Sequence, residues 1–315
     1  MASMNLLYCF DENYNVQAFN SISSFLENNN CEIFVYILHN NPESFKEFQK
    51  KLESKHNFKE LNIKKFQETS FDFPNLFESH VSEATYYRLF IGSYIPEYVN
   101  SVIYVDADVI CINNFYDYYN DLIKRLRSSD KTIAVRNIPF RDGEEKKRLM
   151  KALNIKNNYF NAGVMFIDLK KWRNLKIEEN LIKILKSEKN NIKFWDQDVL
   201  NKAFDGDYIS IDYRFNFIVD QYTSKKQITD YKDILLLHYA GSFKPWTVRG
   251  VMNDSSEFYQ KTYFKSGSKS YHITHTWKLH SLSILLKSLL TFKIFKIYKP
   301  VNFFITVIKS FFKFQ

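Results

Sequence analysis

Three apolar runs constrain this 315-residue chain more than any other feature: MNLLYCF (4–10), EIFVYIL (32–38) and SVIYVDADVI (101–110). Each is short and rich in β-branched and aromatic residues, the mark of a strand covered on both faces. Between the first two, Ala18, Ile22, Phe25 and Leu26 recur at i, i+4, i+7 and i+8, the spacing of one helical face. After the second, Pro42 opens PESFKEFQKKLES, with Phe45, Phe48 and Leu52 on one face. NIKKF predicts a short strand, and SEATYYRLFIGSYI a helix leading into SVIYVDADVI. Strands alternating with helices in this way build βαβ units and a largely parallel sheet.

The second half continues the pattern. TIAVRN (132–137), YFNAGVMFID (159–168), DYISI (207–211) and ILLLHYAG (234–241) predict strands, with IEENLIKILKSEK and DQDVLNKAF as helices between them. No internal repeat is present. In open α/β sheets ligands bind beyond the carboxyl ends of the strands. Asp11 and the pair Asp106/Asp108 stand at such ends.

That placement raises a chemical question, because two carboxylates are costly at the end of a buried strand. In an extended segment, residues i and i+2 point to one face, so Asp106 and Asp108 converge. Two carboxylates at one point repel unless a cation or shared proton offsets them. A divalent cation with oxygen ligands is the natural partner, and it bridges protein carboxylates to substrate phosphates. The bland alternative is a pair of helix caps or a turn. Asp196-Gln-Asp198 and Asp205-Gly-Asp207 match the same pattern, and in FDGDY the intervening Gly206 marks a turn.

Composition narrows the partners. A chain that is 45% hydrophobic has ample core, and with Gly 7 and Pro 6 it holds no long flexible linker. The net charge of +9 admits nucleic acid, an anionic membrane or phosphorylated substrates. Its lysines are scattered or lie in the tail and no nucleic-acid-binding motif is present, which argues against nucleic acid. Cys9, Cys31 and Cys111 form no CxxC pair and sit in apolar runs, as buried thiols in a reducing compartment do. There is no basic-then-apolar leader and no apolar stretch of transmembrane length, so the expected location is the cytoplasm.

Six stretches, in order, carry a family resemblance: CFDENY, ATYYRLFIGSYI, YVDAD, YFNAGVMFIDLKKWR, FWDQDVLN and LHYAGSFKPW, with YRFNF before the last. Together, from roughly residue 4 to 250, they resemble glycosyltransferase family 8, and within it the bacterial lipooligosaccharide α-galactosyltransferases. The resemblance implies a GT-A nucleotide-diphospho-sugar transferase fold, a Rossmann-like mixed sheet flanked by helices, over residues 4–250. It also implies transfer of a hexose from a UDP-sugar with retention, using Mn2+, with Mg2+ as the alternative.

Carried over residue by residue, the resemblance puts Cys9, Asp11, Asn13 and Tyr14 at the uracil and ribose, with Tyr14 stacking on the base. Asp106, Asp108 and His238 would hold the metal, with Ala107 between the aspartates at the nucleotide. An imidazole beside two carboxylates suits Mn2+ better than an all-oxygen site does. Gly241 and Lys244 would hold the diphosphate, and Arg88, Asn161, Ala162, Asp196 and Gln197 the donor sugar. Asn137 stands where relatives often carry an aspartate, and Cys9 where an alanine is common. Of the other histidines, His272, His275 and His280 lack metal-ligand spacing and read as structural or surface residues.

Departure of UDP is the hard step, and Lys244 with the metal would stabilise its charge. Gln197, at the family's position below the sugar, is an amide and a poor nucleophile, so same-face attack is expected. Asp196 would grip sugar hydroxyls. The donor is expected to be UDP-galactose, or UDP-glucose as second choice. The acceptor would be a surface glycan, either a lipid-linked saccharide or the O-glycan of an adhesin. A pyrophosphorylase would need a Gly-rich loop after the first strand, and CFDENYN has none. The non-enzymatic alternative is a membrane-associated UDP-sugar-binding protein.

Beyond Glu257 acidic residues cease, and the 251–315 extension reads as helical and basic. Leu282, Leu285, Leu286 and Leu289 share one helical face. After Pro300, Phe304, Ile308, Phe311 and Phe312 share another, opposite Asn302, Thr306, Lys309 and Lys313. Lysines interrupt the apolar runs, so the expected role is attachment to an anionic membrane surface, on the inner face of the plasma membrane. A helical cap packed on the catalytic domain is the alternative.

Overall fold

A computed structural model describes residues 2–67, 73–74, 82–138, 143–230, 233–241, 243–274 and 279–312. Its centre is a seven-stranded sheet. In chain order the strands are β1 (Ser3–Phe10), β2 (Glu32–His39), β3 (Phe58–Lys65), β4 (Ser101–Val105), β5 (Val109–Cys111), β6 (Ile133–Asn137), β7 (Phe160–Asp168), β8 (Ile209–Ser210), β9 (Phe217–Ile218) and β10 (Leu236–His238). The large sheet runs β3-β2-β1-β4-β7-β6-β8, and β5, β10 and β9 form a second, small sheet.

The expected parallel arrangement holds for β3, β2, β1 and β4. It fails at β7, which runs antiparallel to both β4 and β6. The segment between β6 and β7 is long enough to return in either direction, so strand spacing alone did not fix the polarity. The reversal has a functional consequence. Because β7 enters from the opposite end, Val164 lies beside Val105 at the end of β4, and the residues before it run past that end, where the Asp106 amide donates to the Gly163 carbonyl at 2.8 Å.

A second correction concerns SVIYVDADVI, which is two strands rather than one. β4 stops at Val105, the chain turns through Asp106–Asp108, and β5 continues in the small sheet. The Val109 amide closes the turn on the Asp106 carbonyl at 3.1 Å. SEATYYRLFIGSYI is likewise split, into a 3-10 helix Glu83–Phe90 and one short α-helical turn Ile91–Tyr94.

Two apolar layers flank the large sheet. On one face the helix Asn15–Asn28 buries Ala18, Ile22, Phe25 and Leu26 against β1 and β4. On the other, Tyr86, Leu89 and Phe90 pack with Trp172, Leu181 and Leu200. Each fully buried aliphatic or aromatic side chain contributes roughly 1.5–3 kcal/mol, so these layers hold the strand ends in fixed register.

The C-terminal region is folded against the rest. Tyr259 lies in one apolar cluster with Val219, Leu237 and Trp246, and its carbonyl accepts from Asn20. Leu285, Ile294, Phe303 and Val307 pack on Val248, Val251, Tyr271 and Ile273. The outer face carries Leu286, Leu290, Phe292, Phe295, Phe304 and Ile308 in contact with solvent. The expected grouping of Leu285 with Leu286 is thus divided between an inner and an outer face. The side chains of Phe311 and Phe312, and the whole of Lys313, lie outside what is described. Among the described residues, no helix is long and apolar enough to cross a membrane.

Candidate active site

The strand ends surround a cavity of about 390 Å3. β1 delivers Asp11, whose Oδ1 accepts from the Asn13 amide at 2.9 Å and starts a 3-10 turn. That turn sets half-buried Tyr14 against Trp246, with ring centroids 6.2 Å apart. The turn after β4 delivers Asp106 and Asp108, and His238 ends β10 directly opposite, paired with Val109. The backward-running β7 brings Asn161, Ala162 and Gly163. Gly163 has no substitute here: a Cβ would collide with the His238 ring and come 2.8 Å from Asp106 Oδ2.

The carboxylates converge across a turn, not along an extended strand. Arg88, almost wholly buried, donates to Asp106 Oδ1 at 2.8 Å and to the Thr85 carbonyl at 3.2 Å, and its Nε forms an ion pair with Asp196 Oδ2 at 2.9 Å. Tyr104, two residues before Asp106, adds a hydroxyl at 2.6 Å. Lys244 Nζ donates to Asp108 Oδ2 and, at 2.8 Å, to the Tyr239 carbonyl. Burial raises the Asp108 carboxyl, but Lys244 and His238 outweigh it and hold it well below the usual range. Burial pushes Asp196 up to about 6, against the pull of Arg88 and Thr85.

A divalent cation fits these residues. Asp106, Asp108 and His238 each offer one ligand atom, all within 4.8 Å of one another. Asp108 Oδ1 is buried without a hydrogen-bond partner, and it faces His238 Nε2 at 3.2 Å. The other ring nitrogen, Nδ1, is engaged by Asn216 Oδ1 at 2.9 Å. A carboxylate oxygen and an imidazole nitrogen at that distance repel unless a proton or a cation lies between them, and two carboxylates with an imidazole suit a divalent cation.

The cavity brings together every residue singled out from the sequence except two. Asn13 stands exposed at the rim and contributes its backbone amide to Asp11. Asn137 turns away, bonded to the Tyr208 hydroxyl at 2.5 Å and Ser210 at 3.3 Å. Cys9 lines the wall, where burial raises its thiol and keeps it protonated. Gly241 sits exposed at the mouth with φ of 73°, a conformation that suits glycine.

Of the histidines read as structural, His272 is buried, bonded to Tyr259 and stacked on Trp246. His275 lies outside the described residues, as does the His280 side chain.

Sequence reading missed Thr85, Tyr104 and Asn216. Thr85 bonds Asp196 Oδ1 at 2.6 Å and stands three residues before Arg88 on the same helical element. Tyr104 could have been found from strand alternation with Asp106. Asn216 lies in the YRFNF stretch but had no local signal of its role.

A mixed sheet of this order with paired aspartates at its switch from large to small sheet defines a GT-A glycosyltransferase. The sequence model described as Glycosyl transferase family 8 matches residues 5–249. A lipopolysaccharide 1,2-glucosyltransferase of Escherichia coli is 27% identical over 279 residues, 84% of this chain and 77% of its own. Its counterpart from strain K12 is 31% identical over 175 residues, 52% of this chain and 49% of its own, so this chain spans about half of that relative. Among solved structures, the galactosyltransferase LgtC in complex with donor and acceptor sugar analogs superposes with a TM-score of 0.70. It is 24% identical, and the match covers 84% of this chain and 97% of that one. The chain belongs to glycosyltransferase family 8.

Proposed function

We propose that this glycosyltransferase moves a hexose from a UDP-sugar to a bacterial surface glycan with retention of configuration. Galactose is the first choice of donor sugar and glucose the second. The observation that carries the reading is the unpartnered, buried Asp108 Oδ1 facing His238, in one cavity with Lys244 and Gln197. Similar proteins named lipopolysaccharide 1,2-glucosyltransferase and lipopolysaccharide 1,3-galactosyltransferase support the acceptor class and both donor sugars. The acceptor is a lipid-linked saccharide or the O-glycan of a surface adhesin.

Asp106, Asp108 and His238 would hold Mn2+, which when bound supplies positive charge beside the leaving diphosphate. Lys244 exchanges its bond with Asp108 for one with the diphosphate and stabilises the charge that develops there. Tyr14 and Asp11 hold uracil and ribose. Arg88, kept charged by Asp106 and Asp196, anchors the donor-sugar side of the cavity. Gln197 Oε1 already accepts from Asn161 Nδ2 at 3.2 Å and the Ala162 amide at 3.1 Å, so its carbonyl is engaged. An engaged amide favours attack by the acceptor from the face that UDP leaves, with the departing phosphate oxygen taking the acceptor proton.

The C-terminal helices, residues 251–315, would lay their outer apolar face and lysines on an anionic membrane surface, placing the catalytic unit of residues 4–250 at its lipid-linked acceptor. The test of the central reading is UDP release from a panel of UDP-sugars, with Mn2+ and with EDTA. Release from one hexose donor that EDTA abolishes is the expected result. UDP binding without release from any donor would leave a binding protein instead.

A further inference from the structure

The metal trio and Gln197 are joined by a chain of side-chain amides whose direction two backbone amides dictate. Asn161 Oδ1 accepts from the Gly163 N–H at 3.0 Å, so the Asn161 amide cannot be reversed. The same oxygen accepts from Asn216 Nδ2 at 2.9 Å, which fixes Asn216 as well. Asn216 Oδ1 therefore faces His238 Nδ1 at 2.9 Å, and Nδ1 must carry the proton. At the other end Asn161 Nδ2 donates to Gln197 Oε1, which the Ala162 N–H also holds. Gln197 Nε2 then reaches the Tyr159 hydroxyl at 3.3 Å, and that hydroxyl bonds Asp198.

Asn216 is the centre of this chain and is fully buried. Its carbonyl accepts from Arg136 on β6, and its own amide closes on the Tyr213 carbonyl at 3.2 Å. The backbone that carries the side chain is thus held in place, and the Asn161 oxygen fixes which way its amide faces. A hydrogen bond to the far ring nitrogen sets both the tautomer and the orientation of a ligating histidine.

We infer that Asn216 is a positioning residue that presents His238 to the cation through Nε2 and, through Asn161, ties the metal site to the orientation of Gln197. This rests on the proposed UDP-sugar chemistry and deepens it. Asn216→Asp separates the two halves. An aspartate still accepts from His238 Nδ1–H, but it opposes Asn161 Oδ1 with an acceptor and breaks the link toward Gln197. Asn216→Ala breaks both.

Mn2+ affinity without nucleotide, read by electron paramagnetic resonance, gives the first readout. Asn216→Ala should bind Mn2+ roughly 10- to 100-fold more weakly than wild type. Asn216→Asp should bind no more weakly than wild type while kcat falls. Equal Mn2+ affinity in wild type and folded Asn216→Ala would overturn the inference, as would an equal loss in both variants. Full kcat in Asn216→Asp would remove the link to Gln197. The second readout needs no variant at this position. In metal-free protein with 15N-labelled histidine, the His238 signal, identified by its loss in His238→Ala, should report a proton on Nδ1. A proton on Nε2 with none on Nδ1 would also overturn the inference. Failure of the wild type to bind Mn2+ at all would instead sink the metal-dependent reading of function, leaving the tautomer result to judge Asn216.

Discussion

Asp106-Ala-Asp108 and Asp205-Gly-Asp207 have the same spacing of carboxylates and opposite surroundings. The first pair turns between two sheets, into a cavity, beside two cations and an imidazole. The second pair lies at the C-terminal end of the helix Trp195–Phe204. There Asp205 Oδ1 accepts from the Lys156 and Asn157 amides at 2.9 Å, and Asp207 pairs with Lys131 at the surface at 2.6 Å. One pair is left with an unmet acceptor, Asp108 Oδ1, while Asp205 spends its acceptors on local backbone. A carboxylate pattern marks a site only where the fold withholds the donors that would otherwise satisfy it.

The largest expected contrast is in metal binding. Asp106→Ala/Asp108→Ala should abolish both Mn2+ binding and metal-dependent UDP release. Asp205→Ala/Asp207→Ala should leave Mn2+ affinity, measured by the same resonance signal, unchanged. A comparable loss in both double variants would break the distinction.

Lys244 sharpens it further. Lys244→Met should lower donor turnover on the order of 10²- to 10³-fold. The same variant should bind Mn2+ without nucleotide at least as tightly as wild type, since the ammonium no longer holds Asp108 Oδ2. Titration of the metal with and without UDP separates these effects.

A strand end with no free acceptor makes a third case. His39, ending β2, is fully buried between Asn15 and the Asn41 amide, and burial lowers it from 6.5 to about 4. The unfolded chain binds a proton in that interval and the native one does not. Stability should therefore fall as pH drops from 6.5 toward 4, by up to about 1.4 kcal/mol per unit. Urea midpoints across this range should show a shallower loss in His39→Gln than in wild type.

The smallest effects belong to the second aspartate pair. Asp205→Ala should cost about 0.5–2 kcal/mol in urea unfolding, as loss of a side chain that satisfies free backbone amides does. Asp207→Asn, which removes an exposed ion pair with Lys131, should cost less than Asp205→Ala, and high salt should shrink the difference.

Much of the fold was legible because its strands are covered on both faces and read as apolar runs. β1, β2 and β4 lie within a residue or two of MNLLYCF, EIFVYIL and the start of SVIYVDADVI. The break inside SVIYVDADVI was not legible. Val109 and Ile110 are as apolar as the strand before them, and their transfer to another sheet depends on β10, more than a hundred residues later. The candidate site was legible through its ordered motifs, since each contributes polar groups at an element's end. Asn137 was singled out by the family resemblance alone, and its side chain finds Tyr208 and Ser210 instead. The tail's periodicity showed that helices form, but which apolar face turns inward depended on Val248, Val251 and Tyr271 being there to receive it.

The sequence by itself determined the alternation of strands and helices, the family, and the residue types at the strand ends, because these follow from local periodicity and short motifs. Tertiary structure alone decided the polarity of β7, the turn between the sheets, and the amide chain from His238 to Gln197. Those depend on which distant backbone N–H groups meet which side chains, and hydrogen bonds between residues tens of positions apart leave no periodic trace in the chain.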